Sequence, residues 1–254
     1  MLSGYHNMNI IRSRWMFRVK RDNHGQVNRY KARLIAQGFS QVPGIDFNET
    51  FAPTIRLTTI RFIIALACKY NLELRQINVK GVYLNRKLDK DVYMRQPKGF
   101  IQPGREGLVC KLLKGVYGLK QSGRVWHHLL KTELENIGFK AGEADMTVYF
   151  RYSQDGSIEI AGWYVDDGLL ATNSTRVMDK MVNDIKGSFD IQDLGEPDRL
   201  LGIRISRNRD MGTIHLSQPL FISTIAKCFG VSPGRQINSP MDASNELRAS
   251  STVV

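Results

Sequence analysis

The 254-residue sequence predicts an α+β fold centred on a split βαβ, ferredoxin-like sheet with two helices on one face. Three stretches carry apolar residues at helical spacing, and several short ones alternate as strands do. From Leu72 onward these runs follow the order strand, helix, two strands, helix, strand. No repeat, low-complexity tract or Gly/Ser linker divides the chain, so one unit is expected.

Residues 15–21 read as a strand, Asn23-His24-Gly25 as a tight turn and 26–35 as the returning strand of a hairpin. Thr58 or Thr59 is expected to cap a helix bearing Ile60, Ile63, Ile64, Ala67 and Tyr70 on one side. Residues 72–79 alternate as a strand entering the interior. A helix over 125–137 shows Trp126, Leu129, Leu130, Leu134 and Ile137 as its stripe, with Gly138 stopping it. Strands over 147–152 and 157–164 join through Gln154-Asp155-Gly156, Asp166-Asp167-Gly168 turns the chain, and 169–172 returns. Val177, Met181, Val182 and Ile185 mark the next helix. Strands are expected near 190–194, 201–207 and 213–216, and a helix over 219–229.

Composition narrows the function classes. No apolar run approaches the roughly 18 residues of a membrane span, because Arg61 and Lys69 break the most apolar stretch. The first residues lack the order of a secretion signal, so a soluble intracellular chain is expected. Cys68, Cys110 and Cys228 form no pair at metal or redox spacing and read as small core hydrophobes in a reducing compartment. His127 and His128 are adjacent, which points them to different sides of a helix and argues against a metal site there. Lys plus Arg outnumber Asp plus Glu by 36 to 24, a formal +12. That balance suits a polyanionic partner such as nucleic acid, or simply a basic soluble protein.

The sharpest local feature is Tyr164-Val165-Asp166-Asp167. Adjacent carboxylates between apolar strands repel unless a hard cation such as Mg²⁺ neutralises them. Asp-Asp-Gly is also ordinary turn chemistry, and four residues alone do not choose.

Longer segments do. RYKARLIAQGFSQVPGIDFNETFAP (29–53), VYMRQPKGF (92–100), YGLKQSGRVW (117–126), YVDDGLLA (164–171) and LGIRI (201–205) stand in one order at consistent spacing. Together they resemble the reverse transcriptases of copia-type (Pseudoviridae) LTR retrotransposons, from about residue 15 to 241. The resemblance implies a polymerase right hand. Fingers would span about 15–70 and 92–119, and a ferredoxin-like palm about 71–91 and 120–216. A partial, incomplete thumb would span 217–241. Residues 1–14 match poorly, and 242–254 read as a polar tail.

The same resemblance assigns roles. Asp166 and Asp167 would be metal ligands, with two Mg²⁺ expected in the family and Mn²⁺ able to occupy similar oxygen sites. The third ligand position of the family holds Asn78, which offers one neutral carbonyl where a carboxylate offers charge and two oxygens. Lys31 and Arg33 would meet the incoming dNTP, although solvated strand cations would look alike. Tyr83 would lie under the nucleotide sugar as a gate against ribonucleotides, or fill a core as any strand aromatic can. Leu201 and Gly202 resemble a primer-grip turn. Partners would be an RNA or DNA primer–template, dNTP and other parts of a retrotransposon polyprotein, in a cytoplasmic virus-like particle. The chain departs further at Gly81, Arg86, Gly115 and Gly123. With Asn78 these departures suggest an impaired RNA-directed DNA polymerase, or a catalytically dead remnant that still binds nucleic acid.

Overall fold

The computed structural model describes residues 8–21, 26–84 and 87–231. The expected turn at Asn23-His24-Gly25, the departure at Arg86 and the tail lie outside the described residues. In chain order, β1 (Ile10–Ile11), β2 (Ser13–Arg21) and β3 (Val27–Ala36) precede α1 (Leu57–Lys69) and β4 (Glu73–Val79). Next come β5 (Tyr93–Arg95), β6 (Val109–Lys111), α2 (Ser122–Asn136), β7 (Lys140–Ala141) and β8 (Val148–Tyr152). Then follow β9 (Ile158–Tyr164), β10 (Asp167–Thr172), α3 (Thr175–Ser188) and β11 (Ile191–Gly195). Last are β12 (Arg199–Leu200), β13 (Ile203–Asn208), β14 (Thr213–Ser217) and α4 (Pro219–Cys228).

The main sheet runs β11–β4–β10–β9–β8–β7, every neighbour antiparallel. Its strands β4, β9, β10 and β11, with α2 and α3 between them in the chain, reproduce the expected ferredoxin-like order. The strand period of two decides what faces where. Ile77 and Val79 of β4 join Ala161, Trp163 and Leu170 beneath α2 and α3, packing on Trp126, Leu130, Leu134, Met181 and Ile185. Burying a side chain of this size contributes about 1.5–3 kcal/mol, so this layer is the main source of stability. Arg75, in phase with Ile77, ion-pairs with Asp179 of α3 at 2.7 Å. Leu74, Gln76 and Asn78 therefore emerge on the opposite face. There α1 packs against β10 with Ile60, Ile63, Ile64 and Ala67 buried.

The first helix is not capped by Thr58 or Thr59. Its N-cap is Arg56, without a side-chain bond, and the caps come from a distance. Asp145 accepts from the Arg56 N–H at 3.3 Å and from the Thr59 hydroxyl at 2.8 Å. Sequence spacing could not reveal a cap 89 residues away.

Strands β2 and β3 pair in register Phe17↔Ala32, Arg18↔Lys31 and Val19↔Tyr30. Alternation places Arg14, Arg18, Lys20, Arg29, Lys31 and Arg33 on one face of this hairpin, and Trp15, Phe17, Val19 and Tyr30 on the other. The hairpin is anchored where the Ala36 N–H donates to the Tyr117 carbonyl at 2.8 Å. Backbones cross closely here: a Cβ on Gly118 would lie 2.2 Å from the Ala36 carbonyl, and one on Gly38 2.1 Å from the Gly118 carbonyl. Below the crossing, Gln121 donates to the Asp46 carbonyl at 2.9 Å and accepts from Gln41 at 3.0 Å. These buried polar side chains satisfy one another, which explains their place in the GFSQ and LKQS segments.

The chain divides into two compact units where the sequence suggested one. Among the described residues, Asp198–Ser206 and 215–231 form the second, in which β12 pairs antiparallel with β13 across Leu201-Gly202. Helix α4 buries none of its residues. The cysteines also depart from expectation: Cys228 is exposed, Cys68 and Cys110 are only half-buried, and the Cys68 thiol donates to the Gly212 carbonyl at 3.2 Å. Among the described residues, no helix is long and apolar enough to cross a membrane.

Candidate metal and nucleotide site

The acidic turn is tighter than expected. Tyr164 ends β9 and Asp167 begins β10, paired with each other, so only Val165 and Asp166 connect the strands. Gly168 lies within β10, not in the turn. Val165 adopts φ 56°, a left-handed conformation that a β-branched residue rarely takes. The surroundings hold it there: the Trp126 indole donates to the Val165 carbonyl at 2.7 Å, and the Val79 N–H donates to the Asp166 carbonyl at 2.8 Å. The turn thus displays both carboxylates at one end of the sheet.

Asn78 stands directly opposite Asp167 in the β4–β10 register. Its Nδ2 lies 3.4 Å from both the Asp166 carbonyl and Asp167 Oδ1, long hydrogen bonds that converge from one donor. Burial pushes the half-buried Asp167 carboxyl up and neighbouring Asp166 adds to the shift, while bonds from Asn78 and Gln76 oppose it. A carboxylate raised in this way favours a cation beside it. The donor set is limited, however. Among the described residues, no group of three or more His, Cys, Asp or Glu could hold a metal. Asp166, Asp167 and the Asn78 amide are hard oxygen donors of the kind a divalent cation takes, but only two of the three carry charge.

The basic residues and Tyr83 gather around this turn. Lys31 is depressed by burial first, then by Arg33, Lys20 and Arg29, and Asp166 acts in the opposite direction. Burial raises the Tyr83 phenol, and Asp166 and Tyr117 raise it further. Tyr83 and Tyr117 meet edge to face at 4.9 Å, and the Arg33 guanidinium lies over the other ring at 5.0 Å. Lys31 and Tyr83 thus lie within electrostatic reach of Asp166, and Arg33 is tied to Tyr83 through Tyr117. Leu201 and Gly202 occupy a turn of the second unit, with φ 48° and 81°.

Two supporting residues escaped the sequence reading. Trp126 was legible only as part of a helical stripe, and Tyr117 only as a letter in YGLKQ. Gly115 also gains a meaning, since a Cβ there would sit 2.7 Å from the Tyr83 carbonyl. No side chain fits at this position unless the segment carrying Tyr83 shifts.

Comparison with known proteins converges on one family. The model of the family described as reverse transcriptase (RNA-dependent DNA polymerase) matches residues 2–243. The Retrovirus-related Pol polyprotein from transposon TNT 1-94 of Nicotiana tabacum is 35% identical over 231 residues, 91% of this chain and 17% of that protein. The corresponding polyprotein from transposon RE1 of Arabidopsis thaliana is 36% identical over 241 residues, 95% of this chain and 16% of that protein. The chain thus spans about a sixth of the length of these relatives. A solved structure of apo telomerase from Candida tropicalis overlaps 84% of this chain and 56% of that one at TM-score 0.41 and 10% identity, too loosely to carry an argument.

Proposed function

The chain belongs to the reverse transcriptase (RNA-dependent DNA polymerase) family, in its copia-type branch, and we propose that it is an RNA-directed DNA polymerase domain whose chemical step is impaired by Asn78. Its substrates in this reading are a primer–template and dNTP, and its metal is Mg²⁺. The fingers would be residues 15–70 and 92–119, the palm 71–91 and 120–216, and the partial thumb 217–241. The observation that carries the reading is the convergence of Asn78 on Asp166 and Asp167 at one end of β4 and β10.

Each residue has a task in this scheme. Asp166 and Asp167 would hold Mg²⁺, which when bound supplies positive charge at the reacting phosphate. Lys31 and Arg33, on the basic face of the hairpin, would donate to the triphosphate. Tyr83, braced by Tyr117, would present its ring to the sugar. Leu201 and Gly202 would contact the primer end. Asn78 can add neither charge nor a second oxygen, so activation of the primer hydroxyl suffers more than nucleotide binding.

Primer extension on the purified chain tests this. Little Mg²⁺-dependent extension is expected, with Asn78→Asp raising it at least about tenfold, the equivalent of ~1.4 kcal/mol. Robust extension by the Asn78 form would overturn the reading. A second reading, a nucleic-acid-binding remnant without catalysis, is favoured by the six cations aligned on one hairpin face. It predicts primer–template binding with no gain of extension on Asn78→Asp.

A further inference from the structure

We infer that Asn78 makes the acidic turn independent of divalent metal, its amide supplying the positive end of a dipole where a carboxylate would need a cation. The chain then folds its site without metal and takes one cation with nucleotide rather than a pair. This rests on the polymerase reading for the identity of the site, and it adds what the substitution does to the fold.

The geometry supports an amide that stabilises rather than a ligand that is merely lost. Nδ2 faces two oxygens, the Asp166 carbonyl and Asp167 Oδ1, both at 3.4 Å. Rotating the amide would bring its own oxygen against the same acceptors, so the donating orientation is the one they select. A carboxylate of the same shape would instead set a third anion at that distance from Asp167. With no cation present it would be repelled by Asp167 and by Asp166 beside it, in a partly buried place where water screens poorly. Asn78 removes that repulsion and replaces it with attraction.

The same exchange fixes the number of cations. If the amide turns its oxygen to a metal, its donation to Asp167 is lost, so binding at Asn78 competes with a bond already made. The Asp166 carboxylate takes no part in that bond, and with Asp167 and substrate phosphates it completes one Mg²⁺ sphere.

Thermal unfolding in EDTA and in excess Mg²⁺ tests the inference on the purified chain, Asn78→Asp and Asn78→Ala. The wild-type midpoint should move by less than about 1 °C between the two conditions. Asn78→Asp should fall by about 3 °C or more in EDTA and recover most of it in Mg²⁺. Asn78→Ala, with neither charge nor donor, should lie below wild type and ignore Mg²⁺. A wild-type midpoint that rises with Mg²⁺ as steeply as that of Asn78→Asp would overturn the inference. So would an Asn78→Asp variant as stable in EDTA as its parent. Should Asn78→Asp fail to fold, Mn²⁺ titration of the wild type with a non-hydrolysable dNTP decides: one bound ion per chain supports the inference and two sink it. Failure of the polymerase reading would show separately, as absent extension by a well-folded, metal-responsive Asn78→Asp.

Discussion

Trp126 and Val165 are joined by a 2.7 Å hydrogen bond from the indole N–H to the carbonyl at the head of the acidic turn. The bond matters because Val165 is held at φ 56°, and strained backbone of this kind costs about 1–3 kcal/mol and persists only where its surroundings compel it. Trp126 is itself buried and meets Phe189 edge to face at 5.3 Å, so the anchor is rigid. The carboxylates of Asp166 and Asp167 follow directly, so their placement depends on a residue of α2.

Trp126→Phe keeps an aromatic ring in the core and deletes the donor. The expected cost is about 1–3 kcal/mol, from the lost bond and the small void together. Urea denaturation measures it, and amide exchange at Asp166 and Asp167 should speed up as the turn loosens. A variant of unchanged stability with unchanged exchange would show that the turn holds itself.

His127 should make stability depend on pH. Its Nε2 is buried without a partner, and burial first, then His128 and Lys131, depress its pKa below 6.5. Near that pH the unfolded chain therefore binds more protons than the folded one, and acid favours unfolding. Stability should fall as pH drops from about 7.5 through 6.5 and level off below the folded pKa. His127→Phe should flatten this part of the profile. If the variant retains the full slope, another group is responsible.

How much of this was legible in the sequence varied with range. The strand order and both core helices followed from apolar periodicity, because Ile77, Trp126, Leu134 and Met181 must face one interior. Asp166, Asp167 and Asn78 were found by motif, and β-sheet register brought them together. Long-range polar contacts were not legible. Nothing near Arg56 announces Asp145, and nothing in YGLKQ says that Tyr117 braces Tyr83. The turn was misplaced by one residue because Asp-Asp-Gly has stronger turn chemistry than Val-Asp. Here Trp126 and the Asp166 contact to β4 override that local preference.

Nucleic-acid binding should be salt-sensitive and indifferent to sequence. Arg18, Lys20, Arg29 and Lys31 lie side by side on one face of the β2–β3 hairpin, within a chain of formal charge +12. Affinity for a primer–template should fall by orders of magnitude between about 50 and 200 mM salt as counterion release weakens. Arg18→Ala with Lys20→Ala should lower the slope of log affinity against log salt by about one per phosphate contact removed. A slope unchanged in the double variant would move the interface off this face.

Tyr83 should discriminate between sugars, with Tyr117 setting how well. The ring sits in the short helical turn Val82–Leu84, shares the surroundings of Asp166, and is fixed by Tyr117 at 4.9 Å. A ring held there would collide with a ribose 2′-hydroxyl and tolerate a deoxyribose, a steric test that needs the ring to stay in place. In the Asn78→Asp background, Tyr83→Val should raise ribonucleotide incorporation relative to deoxynucleotide by about tenfold or more, near ~1.4 kcal/mol of lost discrimination. Tyr117→Leu should leave the gate present but loose, raising ribonucleotide use by less and leaving deoxynucleotide KM nearly unchanged. Single-nucleotide insertion with matched dNTP and rNTP measures both. A ratio that stays constant in Tyr83→Val would make the residue a packing aromatic, and a Tyr117→Leu effect as large as that of Tyr83→Val would place the gate at Tyr117 instead.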